Sequence, residues 1–251
     1  MRLPRFFIQP SSNPQEIHTL SFEESHHALS VLRLGPGDAV ELFDGDGRTF
    51  SGTVIGPKAG RLLIQINQGF VSASAPAVRL TLAPCLIKPE RMELLIQKAC
   101  ELGVYAIVPL VSERTIVRLP AERLKAKTAR WQKIAAESCK QCGRSVLPRL
   151  QPVARLEDFI TRAEGYDMIL LPTLAVPASD LRKTLEGRGP KNVLILVGPE
   201  GDFTPAEARS AVSRGAAPVL LGRLVLRSET AAIYLLSALN FFFGEAIHGS
   251  A

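Results

Sequence analysis

The sequence predicts an α/β protein in which a small β-rich domain precedes a larger domain built on a parallel sheet. In the first 70 residues, short strand-like stretches are separated by glycine turns at 35–38 and 44–47, a pattern typical of a small barrel. From residue 78 onward, apolar strand-like runs alternate with helical segments, which indicates a parallel sheet covered on both faces. We therefore divide the chain into domains at 1–72 and 73–251.

Each element of this division follows from local patterns of apolar, capping and turn residues. In the first domain, Ser21 can cap a short helix that continues to about residue 33, and residues 71–77 are small and polar enough to form a linker. The predicted strands of this domain are 5–9, 39–43, 49–55 and 61–67. In the second domain the predicted strands are 78–87, 105–110, 167–171, 193–197 and 218–221, and the predicted helices are 89–102, 120–143, 178–186, 204–214 and 229–248.

Composition limits the class of protein. The chain has 251 residues and a net charge of +6, and it contains no apolar run near the roughly 20 residues of a membrane helix. Its N-terminus lacks the pattern of a signal peptide, so we expect a cytoplasmic location. Cys139 and Cys142 form a C-x-x-C pair without a second pair or nearby histidines, so we expect reduced thiols on a helix and no metal.

Positive charge is concentrated between Arg114 and Arg149, where cations greatly outnumber acids. Such a segment can neutralise nucleic-acid phosphates, and it is equally well explained as the solvated face of a helix. Charge alone leaves both interpretations open.

The most informative stretch is an apolar run at 193–197 that ends at Gly198-Pro199-Glu200-Gly201. A helix start follows, because Thr204 can cap free amides, Pro205 suits the first helical position and Glu207 completes a capping box. A buried strand, a glycine turn and a capped helix predict a ligand-binding loop at the carboxyl end of a strand.

Two further loops follow apolar strands, at 171–173 and 221–231, and loops in this position converge on the ligand of an open α/β sheet. None contains a dinucleotide, nucleoside triphosphate or serine hydrolase motif. In the third loop, Leu224, Val225 and Leu226 either wall a pocket or extend the last strand, with Arg227 and Glu229 paired at the helix start. Spacing alone does not choose between these two.

Five motifs resemble those of the ribosomal RNA small subunit methyltransferase E family: HHALSVLR at 26–33, QKACELGV at 97–104, QCGR at 141–144, GPEGDF at 198–203 and LGRLVLRSETA at 221–231. The resemblance covers nearly the whole chain. It implies a trefoil-knotted SPOUT methyltransferase domain preceded by a PUA-like β-barrel, and a homodimer. It also implies S-adenosylmethionine as cofactor and methylation of N3 of a uridine in 16S ribosomal RNA.

The resemblance also implies roles for residues of this chain. Glu200 is the candidate base for the N3 proton, and Arg144 and Arg227 are candidates for stabilising the anionic ring or gripping phosphate. The predicted cofactor residues are Leu171, Pro172, Thr173, Val197, Gly198, Glu200, Gly201, Leu221, Gly222, Leu226, Ser228, Thr230 and Ala231. The predicted RNA contacts are Arg5, His26, Arg33, Lys88, Arg91, Lys98, Arg114, Arg144 and Arg149.

The chain departs from the family pattern at three positions: Asp202 replaces a glycine, Leu224 replaces an arginine and Ser228 replaces a threonine. We expect Asp202 to act as an extra hydrogen-bond acceptor before the helix. Leu224 removes a possible charge contact with substrate or with a second subunit.

The last helix is apolar around most of its circumference, which favours a dimer interface and is also compatible with a central core helix. Two other functions remain open. One is a non-catalytic RNA-binding module, and the other is a related knotted methyltransferase that acts on transfer RNA or on ribose.

Overall fold

The computed structural model describes residues 3–9, 17–71, 76–117 and 120–244. The chain divides into two compact units. The first unit combines Met1–Ser74 with Ala136–Leu147, and the second combines Ala75–Ala135 with Pro148–Ala251. The predicted boundary after residue 72 and most of the predicted linker lie outside the described residues. The predicted first domain was continuous, whereas the first unit also takes up a later segment of chain.

The first unit contains a five-stranded sheet with the strand order β1-β3-β4-β5-β2. Strands β1 and β3 are parallel, and the other neighbouring pairs are antiparallel. Its core consists of the alternate apolar residues of these strands, with Phe6, Leu42 and Ile64 among those fully buried. The strands are β1 (Arg5–Phe7), β2 (Ile17–Thr19), β3 (Ala39–Phe43), β4 (Arg48–Lys58) and β5 (Arg61–Val71).

The helix predicted after Ser21 is present but short. The Ser21 hydroxyl accepts a hydrogen bond from the Glu24 amide at 3.1 Å, as the capping pattern predicted. Helix α1 (Phe22–His26) gives way to a π-helical turn at His27–Val31. Arg33 then adopts a φ of +56°, which ends the helical segment.

Arg5 was predicted as an RNA contact, and the structure places its guanidinium in the interior of the first unit. Its side chain is 5 % exposed and its Nε donates to Glu41 Oε1 at 2.6 Å. Nη2 donates to Ser145 Oγ at 3.2 Å, and the guanidinium lies 4.7 Å from the centre of the Phe43 ring. These bonds join the returning segment Ala136–Leu147 to the sheet, which explains why that segment belongs to the first unit.

The second unit contains a seven-stranded sheet in the order β12-β14-β11-β13-β6-β7-β9, and every neighbouring pair in it is parallel, as predicted. A separate short pair joins β10 and β8. The strands are β6 (Arg79–Pro84), β7 (Ala106–Ile107), β8 (Leu110–Val111), β9 (Arg149–Leu150), β10 (Ala154–Arg155), β11 (Met168–Pro172), β12 (Ser179–Asp180), β13 (Asn192–Val197) and β14 (Ala216–Leu220).

Most predicted helices of the second unit are present with small shifts at their ends. The capping box between Thr204 and Glu207 is confirmed, since each side chain accepts a hydrogen bond from the other residue's backbone N–H. The single strand predicted at 105–110 is instead two short strands. The helices are α2 (Pro89–Glu101), α3 (Ala121–Cys142), α4 (Leu156–Thr161), which was not predicted, α5 (Leu181–Leu185), α6 (Pro205–Ser213) and α7 (Ser228–Phe243). The last residues of α3, from Ala136 onward, belong to the first unit.

Helix α7 has one buried face and one exposed face, although its sequence is apolar on most sides. Leu235, Leu236 and Leu239 are fully buried, and the helix contacts α2, β6 and β13. Tyr234 and Phe241 face outward, and Phe241 is 88 % exposed. It is therefore not a central core helix. The predicted continuation of this helix through 245–248 lies outside the described residues.

None of the four cysteines forms a disulfide in the part of the chain that the structure describes, and Cys139 and Cys142 lie on α3. Over the described ranges, no helix combines the length and apolar character that a membrane crossing requires. The same residues contain no group of three or more histidine, cysteine, aspartate or glutamate side chains placed to hold a metal ion.

Candidate functional site

A cavity of about 280 Å³ lies in the second unit at the carboxyl ends of β11, β13 and β14. Its walls are the three loops that the sequence predicted to converge, together with the start of α7. This is the edge of a parallel α/β sheet where ligands bind. The lining residues are Pro172, Thr173, Leu174, Val197, Gly198, Pro199, Glu200, Asp202, Val219, Leu220, Leu221, Gly222, Leu224, Val225, Leu226, Arg227, Ser228 and Ala231.

Most of the predicted cofactor residues lie on this cavity, but three do not. Leu171 is buried in the core beneath it, Gly201 points its carbonyl toward Arg114, and Thr230 is exposed on α7. Binding roles for the lining residues stay predictions. The cavity also includes residues that were not predicted to bind the cofactor, most of them direct chain neighbours of predicted ones: Leu174, Pro199, Asp202, Val219, Leu220, Leu224, Val225 and Arg227, the last of which was predicted for catalysis.

At Gly198, which lines the cavity, the backbone passes close to the backbone of Asp202 and Phe203. A Cβ atom at this position would lie 3.2 Å from the Phe203 nitrogen and 3.3 Å from the Asp202 Cα. Both are backbone atoms, which cannot move aside as a flexible side chain can. A side chain at residue 198 would therefore force these backbone atoms to move by a few tenths of an ångström.

Asp202 occupies a backbone conformation that is uncommon for residues with a Cβ, with a φ of +59°. Its carboxylate accepts hydrogen bonds from the Thr173 hydroxyl at 2.9–3.0 Å and from the Leu174 amide at 2.8 Å. It also accepts a bond from the Phe203 amide at 2.7 Å. The prediction of an extra acceptor before α6 is confirmed, and the bonds to the neighbouring loop were not foreseen.

Arg114 supports the same loop from outside. Its Nη1 donates to the Gly201 carbonyl at 2.8 Å and to the Phe203 carbonyl at 3.4 Å. Next to it, the Glu113 amide donates to Glu207 Oε1 at 2.8 Å, which ties the segment to the capping box of α6. Arg114 was predicted as an RNA contact, and the structure gives it a loop-supporting role.

Arg91 lies between two glutamates at the edge of the cavity. Its Nη1 is 3.6 Å from Glu200 Oε1, and its Nε is 3.7 Å from Glu229 Oε1. Glu229 is 7 % exposed, and its Oε2 has no hydrogen-bond partner among the described residues. One interpretation of the sequence paired Arg227 with Glu229. In the structure the cation beside Glu229 is Arg91.

The loop after β14 combines pocket wall and exposed surface. The strand ends at Leu220, so the three aliphatic residues do not extend it. All three line the cavity, as one of the two interpretations predicted. Nevertheless Leu224 is 80 % and Val225 is 82 % exposed, and only Leu226 is half-buried. Apolar side chains this exposed indicate a surface that a ligand or partner covers.

The remaining predicted RNA contacts differ in availability. Lys98 is paired with Glu101 at 2.9 Å, and the Arg149 guanidinium lies 5.1 Å from the centre of the Tyr105 ring. Arg144 is half-buried in the first unit, where it makes interactions of its own. Arg33 and Lys88 are exposed, and His26 is exposed with its Nδ1 3.3 Å from Ser30 Oγ.

The two units match two known domain families. Residues 74–240 match the family described as the RNA methyltransferase domain, and residues 21–67 match the RNA methyltransferase PUA domain. These matches identify the chain as an RNA methyltransferase with a PUA domain.

Individual relatives give the particular family. The chain is 30 % identical to the ribosomal RNA small subunit methyltransferase E of Bacillus subtilis over 95 % of this chain and 96 % of the relative. A Legionella pneumophila methyltransferase solved with bound S-adenosylmethionine has a TM-score of 0.88 and 32 % identity, covering 98 % of this chain and 100 % of that one. The Neisseria gonorrhoeae ribosomal RNA small subunit methyltransferase E, also bound to S-adenosylmethionine, has a TM-score of 0.85 and 28 % identity, covering 97 % and 99 %. This chain belongs to the ribosomal RNA small subunit methyltransferase E family.

Proposed function

We propose that this protein transfers a methyl group from S-adenosylmethionine to N3 of a uridine in 16S ribosomal RNA. The observation that supports this best is the meeting of three loops in one cavity at the carboxyl edge of the sheet. Two solved structures similar to this chain, from Legionella pneumophila and Neisseria gonorrhoeae, contain bound S-adenosylmethionine. The proposed substrate places the protein in the cytoplasm.

The residues around the cavity suit this cofactor. Val197, Leu221 and Leu226 provide apolar walls for a purine ring, and Gly198 leaves backbone groups accessible. Glu200 adds a carboxylate with a side chain 30 % exposed, which would favour a cation nearby. The volume of about 280 Å³ is close to the lower end of the range of roughly 300–1,000 Å³ for small-molecule sites.

Glu200 is the proposed general base. When bound, S-adenosylmethionine supplies an electrophilic methyl group on a positively charged sulfur. Uracil N3 carries a proton and becomes a good nucleophile only as that proton leaves, so a carboxylate within reach can accelerate the reaction. Arg91, at 3.6 Å, fixes Glu200 at the cavity edge, and Arg227 on the lining can stabilise the negative ring. Arg144 remains a proposed contact to the ring or to phosphate.

The proposed base is tested by single-turnover methylation with Glu200→Gln across a range of pH. We expect the rate to fall by roughly 10²- to 10⁴-fold, the usual contribution of a general base. Glu186→Gln, at an exposed glutamate that does not line the cavity, is the matched control and should retain the wild-type rate. An unchanged rate in Glu200→Gln would remove it as the base.

Substrate class is tested by calorimetry with S-adenosylmethionine, followed by mass mapping of total RNA after incubation. Binding together with a new methyl group on small-subunit ribosomal RNA supports the proposal. Absence of binding would instead indicate a non-catalytic RNA-binding module, and methylated transfer RNA or ribose would indicate a different methyltransferase. RNA affinity should fall steeply with salt if phosphates are contacted.

We also propose a knotted second unit and a homodimer. Membership of the ribosomal RNA small subunit methyltransferase E family supports the knot, because the resemblance to that family implies it. The exposed aromatic face of α7 supports the dimer: Phe241 is 88 % exposed, and Leu94 of the contacting helix α2 is 43 % exposed. Sedimentation analysis of Phe241→Asp should show a monomer if this face forms the interface.

A further inference from the structure

Asp202 keeps a backbone conformation that carries a local cost. Its φ of +59° places it in the left-handed region, which disfavours residues with a Cβ, although aspartate tolerates it better than most. Such conformations persist where the surrounding structure compensates for them. Here the compensation comes from the aspartate side chain itself.

The carboxylate of Asp202 joins two walls of the cavity. Oδ1 accepts from the Thr173 hydroxyl at 3.0 Å and from the Phe203 amide at 2.7 Å. Oδ2 accepts from the same hydroxyl at 2.9 Å and from the Leu174 amide at 2.8 Å. The Thr173 oxygen in turn accepts from the Ala175 amide at 3.1 Å. One side chain thus links the loop after β11 to the loop after β13.

We propose that Asp202 is a positioning residue that holds the Thr173–Leu174 loop against the 198–203 loop, and so sets the shape of the cavity before its ligand enters. The carboxylate already accepts hydrogen bonds from three protein donors: the amides of Leu174 and Phe203, and the Thr173 hydroxyl, which is shared between its two oxygens. The carboxylate is therefore engaged with the loops and acts on them, not on the ligand. The inference rests on the proposed function, because S-adenosylmethionine is taken as that ligand.

The size of the effect follows from population arithmetic. Apparent affinity falls by the fraction of time that the binding-competent loop arrangement is populated. Leu174 lines the cavity with a side chain that is 65 % exposed, so little packing would hold this loop in place once its amide bond to Asp202 is lost. We expect removal of the carboxylate to weaken S-adenosylmethionine binding by roughly 5- to 20-fold.

The first measurement needs no ligand. Hydrogen exchange of the Leu174 amide should be at least about 10-fold faster in Asp202→Gly than in the wild type, because its acceptor is gone. Asp202→Asn should be intermediate, since asparagine has one acceptor atom where aspartate uses two. Thr173→Val keeps the side-chain shape, removes the hydroxyl donor and should also accelerate exchange.

The second measurement is calorimetric titration of each folded variant with S-adenosylmethionine. Asp202→Gly and Thr173→Val should both bind more weakly, and the double variant should be no more than about twofold weaker than Asp202→Gly, because both changes remove the same link. Ala59→Gly is the matched control. Ala59 has a φ of +50°, occupies a turn of the first unit and does not line the cavity, so its variant should match the wild type in both measurements.

The outcomes separate this inference from the proposed function. A wild-type protein that does not bind S-adenosylmethionine overturns the proposed function, and the exchange data then judge the link between the loops alone. If the wild type binds and Asp202→Gly binds equally well, the positioning role is overturned. Weaker binding with unchanged exchange would also overturn it, because the carboxylate would then act on the ligand directly.

Discussion

Arg5 in the first unit and Glu229 in the second are both buried charged residues, but they differ in how completely they are paired. Arg5 donates to Glu41 at 2.6 Å and to Ser145 at 3.2 Å, and it stacks on Phe43. Glu229 lies 3.7 Å from Arg91 through one oxygen, and its other oxygen has no partner within the described chain. The buried charge of Arg5 therefore links parts of the first unit, whereas the buried charge of Glu229, beside the cavity, has only one of its two oxygens near a cation.

The largest expected effect is on the stability of the first unit. Arg5→Ala should lower the free energy of unfolding by about 2–3 kcal/mol, below the usual value for breaking a buried ion pair because Glu41 is 30 % exposed. Urea denaturation measures this change. Lys58→Ala, at an exposed cation of the same unit, should stay within about 0.5 kcal/mol. Equal stabilities for the two variants would contradict the role assigned to Arg5.

Glu229→Gln should lower the methylation rate more than it lowers stability, whereas Arg5→Ala should mainly lower stability. Stability should change by no more than about 1 kcal/mol, because the substitution removes a poorly paired buried charge. The methylation rate should fall by about 10-fold or more, because Arg91 loses one of the two carboxylates that fix it beside Glu200. Glu101→Gln, on the exposed Lys98 pair, serves as control. If Glu229→Gln lost much stability and kept full activity, Glu229 would have the same structural role as Arg5, which would contradict this prediction.

A smaller effect concerns Cys85, a neutral buried group at the end of β6. Burial raises the pKa of its thiol from 9.0 to about 12. The folded protein therefore keeps this proton while the unfolded chain releases it, so the contribution to stability is complete below pH 9 and is lost as pH rises toward 12. Between pH 8 and pH 10 the wild type should lose about 1 kcal/mol more stability than Cys85→Ala. Cys142→Ala should behave like the wild type, and parallel curves for all three would contradict the assignment.

Local patterns in the sequence predicted local structure well. The capping box at Thr204 and Glu207 depends on residues three positions apart, and the structure confirms it. The three loops could be predicted because the carboxyl ends of parallel strands meet at one edge. The motif resemblance, not periodicity, supplied the family, which the comparisons confirm.

Interactions between distant parts of the sequence could not be predicted in this way. Arg5 bonds to Ser145, 140 residues away, and Asp202 bonds to Thr173, 29 residues away. Neither spacing leaves a periodic signal, so Arg5 was taken for a surface cation. The short helix α4 was missed because its six residues are too few to show a helical period.

Because Ala136–Leu147 belongs to the first unit, this segment affects when that unit can fold during translation. Arg5 and the Gly45 backbone have hydrogen-bond partners within residues 139–147. The ribosome makes these residues long after it has made the strands of the sheet. A nascent chain that stops at residue 74 therefore presents a sheet in which the Arg5 guanidinium is paired with Glu41 but lacks its bonds to Cys139 and Ser145. The N-terminal unit can mature only after most of α3 has been translated, and fragments cut at the apparent domain boundary should be poor substitutes for it.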